Sequence, residues 1–279
     1  MIETTAGEIA AITGGMLHDC APATPVAGPV EFDSRQVTPG CVFLALPGAR
    51  ADGHDFAAGA VADGAALVIA ARPVGAPAVV VEPLGAQTSN SDAFAHDPDG
   101  SGAAVLEAVG RLARRNVDEL AEGGLTVVGV TGSAGKTSTK DMMATILRTA
   151  GETVAPKGSF NNEIGHPYTV LRCTRDTRYL VAELSARGVG HVAHLARIAP
   201  PRIGAVLNVG TAHIGEFGSR EVIAQAKGEL IEALPDAADG GVAVLNADDP
   251  LVAGMAPRTR AKVVTFGLNP GADYRATAV

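Results

Sequence analysis

One short run constrains this chain more than any other: Thr131-Gly132-Ser133-Ala134-Gly135-Lys136-Thr137, followed by Ser138. Before it stands Leu125-Thr126-Val127-Val128-Gly129-Val130, an apolar, β-branched stretch that reads as a buried strand. After it, Met142, Met143, Ile146, Leu147 and Ala150 are spaced for one helix face, with Gly151 placed as the stop. Strand, glycine loop and helix in that order form a cradle for phosphate. Loop amides and the helix N-terminus face an anion, Lys136 can neutralise β- and γ-phosphates, and Thr137 can hold Mg²⁺. The pattern departs from G-x-x-x-x-G-K-[ST] in one place, because Val130 stands where the first glycine is expected.

The rest of the chain fits an α/β protein of two domains. Its 279 residues are 47% hydrophobic with 34 glycines and no tryptophan, enough for two cores. A net charge of −8 argues against a nucleic-acid partner held by phosphate contacts and gives no sign of membrane attachment. Cys20, Cys41 and Cys173 are dispersed and odd in number, which suggests neither a disulfide framework nor a cysteine-rich metal site. The first residues lack a signal pattern and no apolar run approaches a membrane span, so a cytoplasmic location is expected.

Residues 1–85 read as one unit, with helices over 6–12 and 54–62 and strands over 30–32, 41–46, 66–70 and 78–81. Residues 86–102 are polar and aperiodic, a linker or surface loop, and 103–279 form the second unit. That unit opens with a helix over 103–120. Beyond the loop, strands are expected over 179–184, 203–209, 242–246 and 263–266. Helical stretches between several of them imply a mostly parallel sheet with helices on both faces.

Several side chains fall where such sheets bind ligands. Glu183 closes a strand and would coordinate Mg²⁺ opposite the loop, the alternative being a solvated strand end. His213 follows another strand and reaches the same edge, as a ligand or a polar surface group. Helix 219–234 begins at Ser219 and puts Val222, Ile223, Ala226, Leu230, Ile231 and Leu234 on one arc, with Gln225, Gly228, Glu229 and Glu232 opposite. Lys227 lies inside the apolar arc, where an ammonium either snorkels or gives way to a neutral amine that reacts with CO₂. The resulting carbamate would bind Mg²⁺. The Asn246 amide either reads a nucleotide base or serves an Asx turn. His191 and His194 share a helical face that reads as solvated.

Together these residues resemble the Mur ligase family of cell-wall peptide synthetases, whose T-G-x-x-G-K-T loop also looks like that of folylpolyglutamate synthases. Further phrases carry the resemblance: Phe160-Asn161-Asn162-Glu163-Ile164-Gly165-His166-Pro167, Asn208-Val209-Gly210-Thr211-Ala212-His213, and Glu216-Phe217-Gly218-Ser219 leading to Ala226-Lys227. Near the start, Asp33-Ser34-Arg35, Pro39-Gly40-Cys41-Val42-Phe43 and Asp52-Gly53-His54-Asp55-Phe56 look like the family's uridine-nucleotide domain. The resemblance implies a small α/β uridine-nucleotide domain followed by a P-loop ATPase domain. It also implies a monomeric ATP-dependent amide ligase that joins D-alanyl-D-alanine to UDP-N-acetylmuramoyl-tripeptide through an acyl phosphate. Lys136, His213 and Lys227 would be catalytic. Residues 131–138 and Asn246 would bind ATP, Thr137 and Glu183 a first Mg²⁺, and His213 and carbamylated Lys227 a second. Ser34 and Arg35 would contact the uridine diphosphate; Asn161, Asn162, Ser185 and Arg187 would contact the muramoyl peptide. The family carries a further C-terminal domain, so the chain reads as a truncated form. Two other expectations follow: a module that binds ATP and UDP-sugar without turnover, or a folylpolyglutamate-synthase-like ligase, against which the Asp33-Ser34-Arg35 domain argues.

Overall fold

A computed structural model describes residues 1–86, 91–212 and 214–277. It divides into two compact units, Met1–Gly123 with Val170–Arg175, and Gly124–Thr169 with Asp176–Val279. The boundary therefore falls at Gly123/Gly124 and not at 102/103, because the long helix over 101–122 groups with the first unit.

In the first unit, strands β1 (Thr4–Thr5) and β3 (Pro25–Val26) pair antiparallel beside helix α1 (Ala6–Thr13). A five-stranded sheet has the order β2 (Met16–His18), β7 (Ala78–Val80), β6 (Leu67–Ala70), β5 (Val42–Leu44), β4 (Val30–Glu31). Its strands β4 to β7 are parallel, and β2 adds an antiparallel edge that the sequence pattern does not reveal. Residues 54–62, expected as one helix, are a 3₁₀ turn (Gly53–Phe56) running into α2 (Ala57–Ala62). Helix α3 (Ser101–Glu122) follows the polar segment, whose Asp97 is buried and accepts from the Gly102 and Ala103 amides at 2.8 and 2.7 Å. This part of the expected linker is thus a helix cap.

The second unit is built on a seven-stranded, wholly parallel sheet: β8 (Thr126–Thr131), β9 (Glu152–Val154), β10 (Thr177–Glu183), β11 (Ile203–Val206), β12 (Val242–Asn246), β13 (Lys262–Gly267) and β14 (Tyr274–Arg275). The spatial order is β14-β13-β12-β11-β8-β10-β9. The chain leaves central β8 for one edge, returns through β10, then crosses to β11. The C-terminal end of β8 is therefore a topological switch point, where ligands bind in open α/β sheets.

Helices cover both faces. On one, Ala144 of α4 (Lys136–Leu147) packs on Val130, Val181 and Ala205. On the other, α6 (His191–Ile198), α8 (Arg220–Glu232) and α9 (Pro250–Ala253) share a core with Ala182, Val206, Ala243 and Leu245. The short helices α5 (Gly165–Val170) and α7 (Ile214–Phe217) connect these elements. Two expectations fail here. Met142 and Ile146 are 60% and 68% exposed, because α4 turns Lys140 and Ala144 toward the sheet. Gly228 and Glu229 are buried, since α8 is covered on its polar side too.

Candidate active site

The loop Thr131–Lys136 leaves the end of β8 between its two neighbours. Val130 is in register with Glu183 of β10, and Thr131 with Val206 of β11. The buried Thr131 hydroxyl donates to Leu184 O at 2.9 Å. From the other side, Asn208 Oδ1 accepts the Ala134 amide at 2.9 Å while its Nδ2 donates to Ala134 O at 3.1 Å. Asn208 O accepts the Ser133 amide at 3.1 Å, and Ser133 Oγ accepts the Gly210 amide at 2.9 Å. The loop is laced open at its rim. Gly135, at φ +82°, turns the chain into α4.

Among the described residues, three helices start at a left-handed glycine: α3 at Gly100, α4 at Gly135 and α6 at Gly190. Carboxylates cover two of these N-termini. Asp97 serves α3, and Glu229 serves α6, accepting from Gly190 and Ala193 amides at 2.5 and 2.9 Å. Among the described residues no side chain caps α4. Ala134, Gly135 and Ser138 there are exposed, so the amides and the positive end of the helix dipole face outward. An anion supplied by a ligand fits where the other two helices have a carboxylate.

Around this opening stand Lys136, Thr137 and Glu183. Lys136 Nζ donates to Gly132 O at 2.9 Å. Burial lowers its pKa, and the Glu183 charge partly restores it. Glu183 is 1% exposed. One carboxylate oxygen accepts Thr137 Oγ1 at 3.1 Å and the other accepts Asn161 Nδ2 at 2.6 Å. Thr137 Oγ1 also lies 3.2 Å from Ser159 Oγ. A buried carboxylate beside a hydroxyl, with no cation bonded to either among the described residues, is a donor set that fits Mg²⁺.

The other expected residues divide. Asn161 O accepts both the amide (3.1 Å) and the hydroxyl (2.8 Å) of Ser185, which brings those two together at the same edge. Asn162 faces its own chain: Oδ1 accepts the Ile164 and Gly165 amides at 3.3 and 2.9 Å. Arg187 is half-buried. The Asn246 amide is held at both ends, donating to Leu207 O at 2.8 Å and accepting the Asp248 amide at 2.9 Å, as an Asx turn does. His213 lies outside the described residues. Lys227 is 5% exposed, and burial followed by the nearby Lys136 charge lowers its pKa to about 8. It is not a snorkelling lysine, and the reduced pKa fits the amine that carbamate formation needs. His191 and His194 are half-buried, and His191 Nδ1 sits 3.4 Å from Glu163 Oε1, so their face is not a solvated one.

In the first unit, Ser34 and Arg35 belong to a 3₁₀ turn that Asp33 caps, just beyond β4. Arg35 is exposed and lies on the Asp33 carboxylate at 2.9 and 2.8 Å, which holds that carboxyl well below its usual range. Buried His54 hydrogen-bonds Asp52 through Nδ1 at 2.6 Å and accepts the Ala71 amide on Nε2 at 3.0 Å. The Asp52-Gly53-His54 phrase thereby ties its turn to the end of β6.

Sequence reasoning passed over Lys140, Ser159, Asn208 and Asp249. Asp249 caps α9 and also accepts the Val209 amide at 2.7 Å, fixing the segment before His213. Asn208 stands in a quoted phrase, yet its partner Ala134 is 74 residues away and nothing local announces the contact.

The chain is similar in sequence and fold to known proteins. Residues 130–279 match the Mur ligase middle domain, and residues 29–115 match the catalytic domain of the Mur ligase family. The chain is 61% identical over 283 residues to UDP-N-acetylmuramoyl-tripeptide--D-alanyl-D-alanine ligase of Mycobacterium tuberculosis, covering 100% of this chain and 55% of that protein. A crystal structure of MurF from Acinetobacter baumannii aligns with TM-score 0.81 at 31% identity, over 99% of this chain and 55% of the other. The MurF ligase from Thermotoga maritima in complex with ADP aligns with TM-score 0.66 at 34% identity, over 86% and 50%. The chain spans about half the length of the curated relatives it matches.

Proposed function

The chain belongs to the Mur ligase family, and from that premise we propose that it acts in an ATP-dependent amide ligase joining D-alanyl-D-alanine to UDP-N-acetylmuramoyl-tripeptide. The observation that carries this reading is the uncapped N-terminus of α4, flanked by Lys136 and by the bonded pair Thr137 and Glu183. The relatives named for this reaction share the whole length of the chain, which supports the choice of substrates.

In this reading the loop amides and Lys136 hold the β- and γ-phosphates of ATP. The tripeptide carboxylate attacks the γ-phosphorus, releasing ADP and giving an acyl phosphate. The dipeptide amine then attacks the acyl carbon, and phosphate leaves from the tetrahedral intermediate. Bound Mg²⁺ supplies neutralising charge for the phosphoryl group in flight. Thr137 and Glu183 would hold the first ion, and His213 with Lys227 the second. For that second role the Lys227 amine adds CO₂, forming an N–C bond and losing a proton, so that a cation becomes a carboxylate. Asn161 and Ser185 would orient the muramoyl peptide with Asn162 and Arg187, Ser34 and Arg35 the uridine diphosphate, and Asn246 the adenine through its remaining N–H.

We assign the protein to the cytoplasm as a monomer acting on small molecules, without nucleic-acid or membrane partners. The charge of −8 argues against a nucleic-acid partner, and among the described residues no helix is long and apolar enough to cross a membrane. The test is orthophosphate release with ATP, UDP-N-acetylmuramoyl-tripeptide and D-alanyl-D-alanine, each omitted in turn. Release that needs all three supports the ligase. Nucleotide binding with no release would leave a binding module.

A further inference from the structure

Lys140 takes no part in the chemistry assigned above, yet it is among the largest fully buried side chains, at 1% exposure. A buried ammonium is costly unless its hydrogens are all used. Here they are. Lys140 Nζ donates to Asp141 Oδ1 at 2.6 Å, Pro156 O at 2.8 Å and Gly158 O at 3.3 Å, three acceptors for three hydrogens. Two of the three belong to the turn after β9, where Gly158 has φ +57°. A residue needed only to fill space there would be a leucine or methionine, with no charge to desolvate.

The pinned turn leads straight into the site. Ser159, next in the chain, meets Thr137 at 3.2 Å, and Asn161, two further on, meets Glu183 at 2.6 Å. Thr137 lies one helical turn before Lys140 on α4. One segment is therefore tied to α4 at its start by Lys140 and to the Thr137–Glu183 pair at its end. We propose that Lys140 is a positioning residue for the metal–phosphate site: by clamping Pro156 and Gly158 to α4, it sets where Ser159 and Asn161 meet Thr137 and Glu183. The proposal rests on the nucleotide-site reading above. Without the clamp, two carbonyls lose their donor and the segment is free to drift by the fraction of an ångström that such sites do not tolerate.

The test uses the full chain and Lys140→Met, with two readouts. In the ligand-free protein, hydrogen exchange at amides 157–161 should accelerate about tenfold, while β8 and α8 keep their protection. In calorimetric titrations, the gain in ATP affinity on adding Mg²⁺ should fall about tenfold, with affinity in EDTA unchanged because the loop amides are untouched. Should Lys140→Met fail to fold, Lys140→Arg carries both readouts. It retains the charge but cannot converge three bonds from one nitrogen, so a smaller change in the same two quantities is expected. Unchanged exchange over 157–161 together with an unchanged Mg²⁺ gain would overturn the proposal. So would an equal loss of affinity with and without Mg²⁺, which marks collapse of the loop. Absence of ATP binding by the wild-type chain would instead overturn the nucleotide-site reading, and this proposal with it.

Discussion

Thr137 Oγ1 donates to Glu183 Oε2 across 3.1 Å although 46 residues separate them. The parallel pairing of β8 and β10 brings them together, because Val130 and Glu183 are register partners and the loop begins one residue later. A hydroxyl that donates to a carboxylate can turn its lone pairs to a cation instead, so the pair is ready to open around Mg²⁺. Glu183→Gln keeps the shape and removes the charge. The Mg²⁺-dependent part of ATP affinity should fall about 10–100-fold, with Mg²⁺-free binding preserved. Calorimetry with and without Mg²⁺ measures both, and an unaltered Mg²⁺ dependence would remove Glu183 from the metal site.

Lys136→Ala should cost on the order of 10²-fold or more in turnover, since it removes a charge aimed at the phosphoryl group. The melting temperature should barely move, because the side chain is only half-buried and, among the described residues, it hydrogen-bonds Gly132 O alone. The pH dependence carries a second check. Burial lowers the Lys136 pKa and the Glu183 charge opposes that. In Glu183→Gln the opposition is gone, so the alkaline loss of ATP binding should begin at lower pH than in the wild type. A limb that stays in place would mean that the two charges do not communicate.

These relationships were unequally legible in the sequence. The strand–loop–helix run is local, so its β-branched residues, glycines and lysine announce it within about a dozen positions. Glu183 was readable because a strand end in a parallel sheet has one place to be. Glu229 was not. Its helix periodicity sets it opposite the apolar arc, but it is buried because the glycine-started α6 takes it as a cap, 36 to 39 residues away. Met142 and Ile146 fail the other way: periodicity says which residues share a face, not whether anything covers it. The polar 86–102 stretch hid a buried Asp97 for the same reason, since a cap acts across space. Lys140 is the plainest case, a lysine on the buried side of α4 two of whose three acceptors are backbone carbonyls 16 and 18 residues away.

The sheet beneath α8 is thin by design of its sequence. Gly129 and Gly204 are register partners on β8 and β11. A Cβ at Gly129 would come within 2.8 Å of Leu230 Cδ1, and one at Gly204 within 3.1 Å of Leu230 Cγ. Gly129→Ala should therefore push α8 outward and destabilise by about 1–3 kcal/mol in chemical denaturation. Gly59→Ala, in α2 with nothing within 4 Å, should instead stabilise by up to about 1 kcal/mol. Equal responses at the two sites would contradict the close approach of α8.

One turn before Leu230 on the same helix, Lys227 is buried, and it is the residue with the sharpest pH consequence. Its pKa falls from 10.5 to about 8, first through burial and then through the Lys136 charge. Below about pH 8 the lysine is protonated in folded and unfolded chains alike, and its burial cost is paid in full. Between about 8 and 10.5 the unfolded chain binds more protons, so stability should rise with pH across that window. Urea denaturation in CO₂-free buffer should show the rise in the wild type and lose it in Lys227→Met. The same neutral amine is the form that reacts with CO₂. ¹³C-labelled bicarbonate should give a carbamate carbon signal in the wild type that Lys227→Ala abolishes. In an active ligase, Lys227→Ala should abolish turnover, short carboxylates should partly restore it, and Lys227→Arg should not, because it returns a positive charge where a negative one is required. A rise in stability without any carbamate signal would keep the buried amine and remove the second metal ligand.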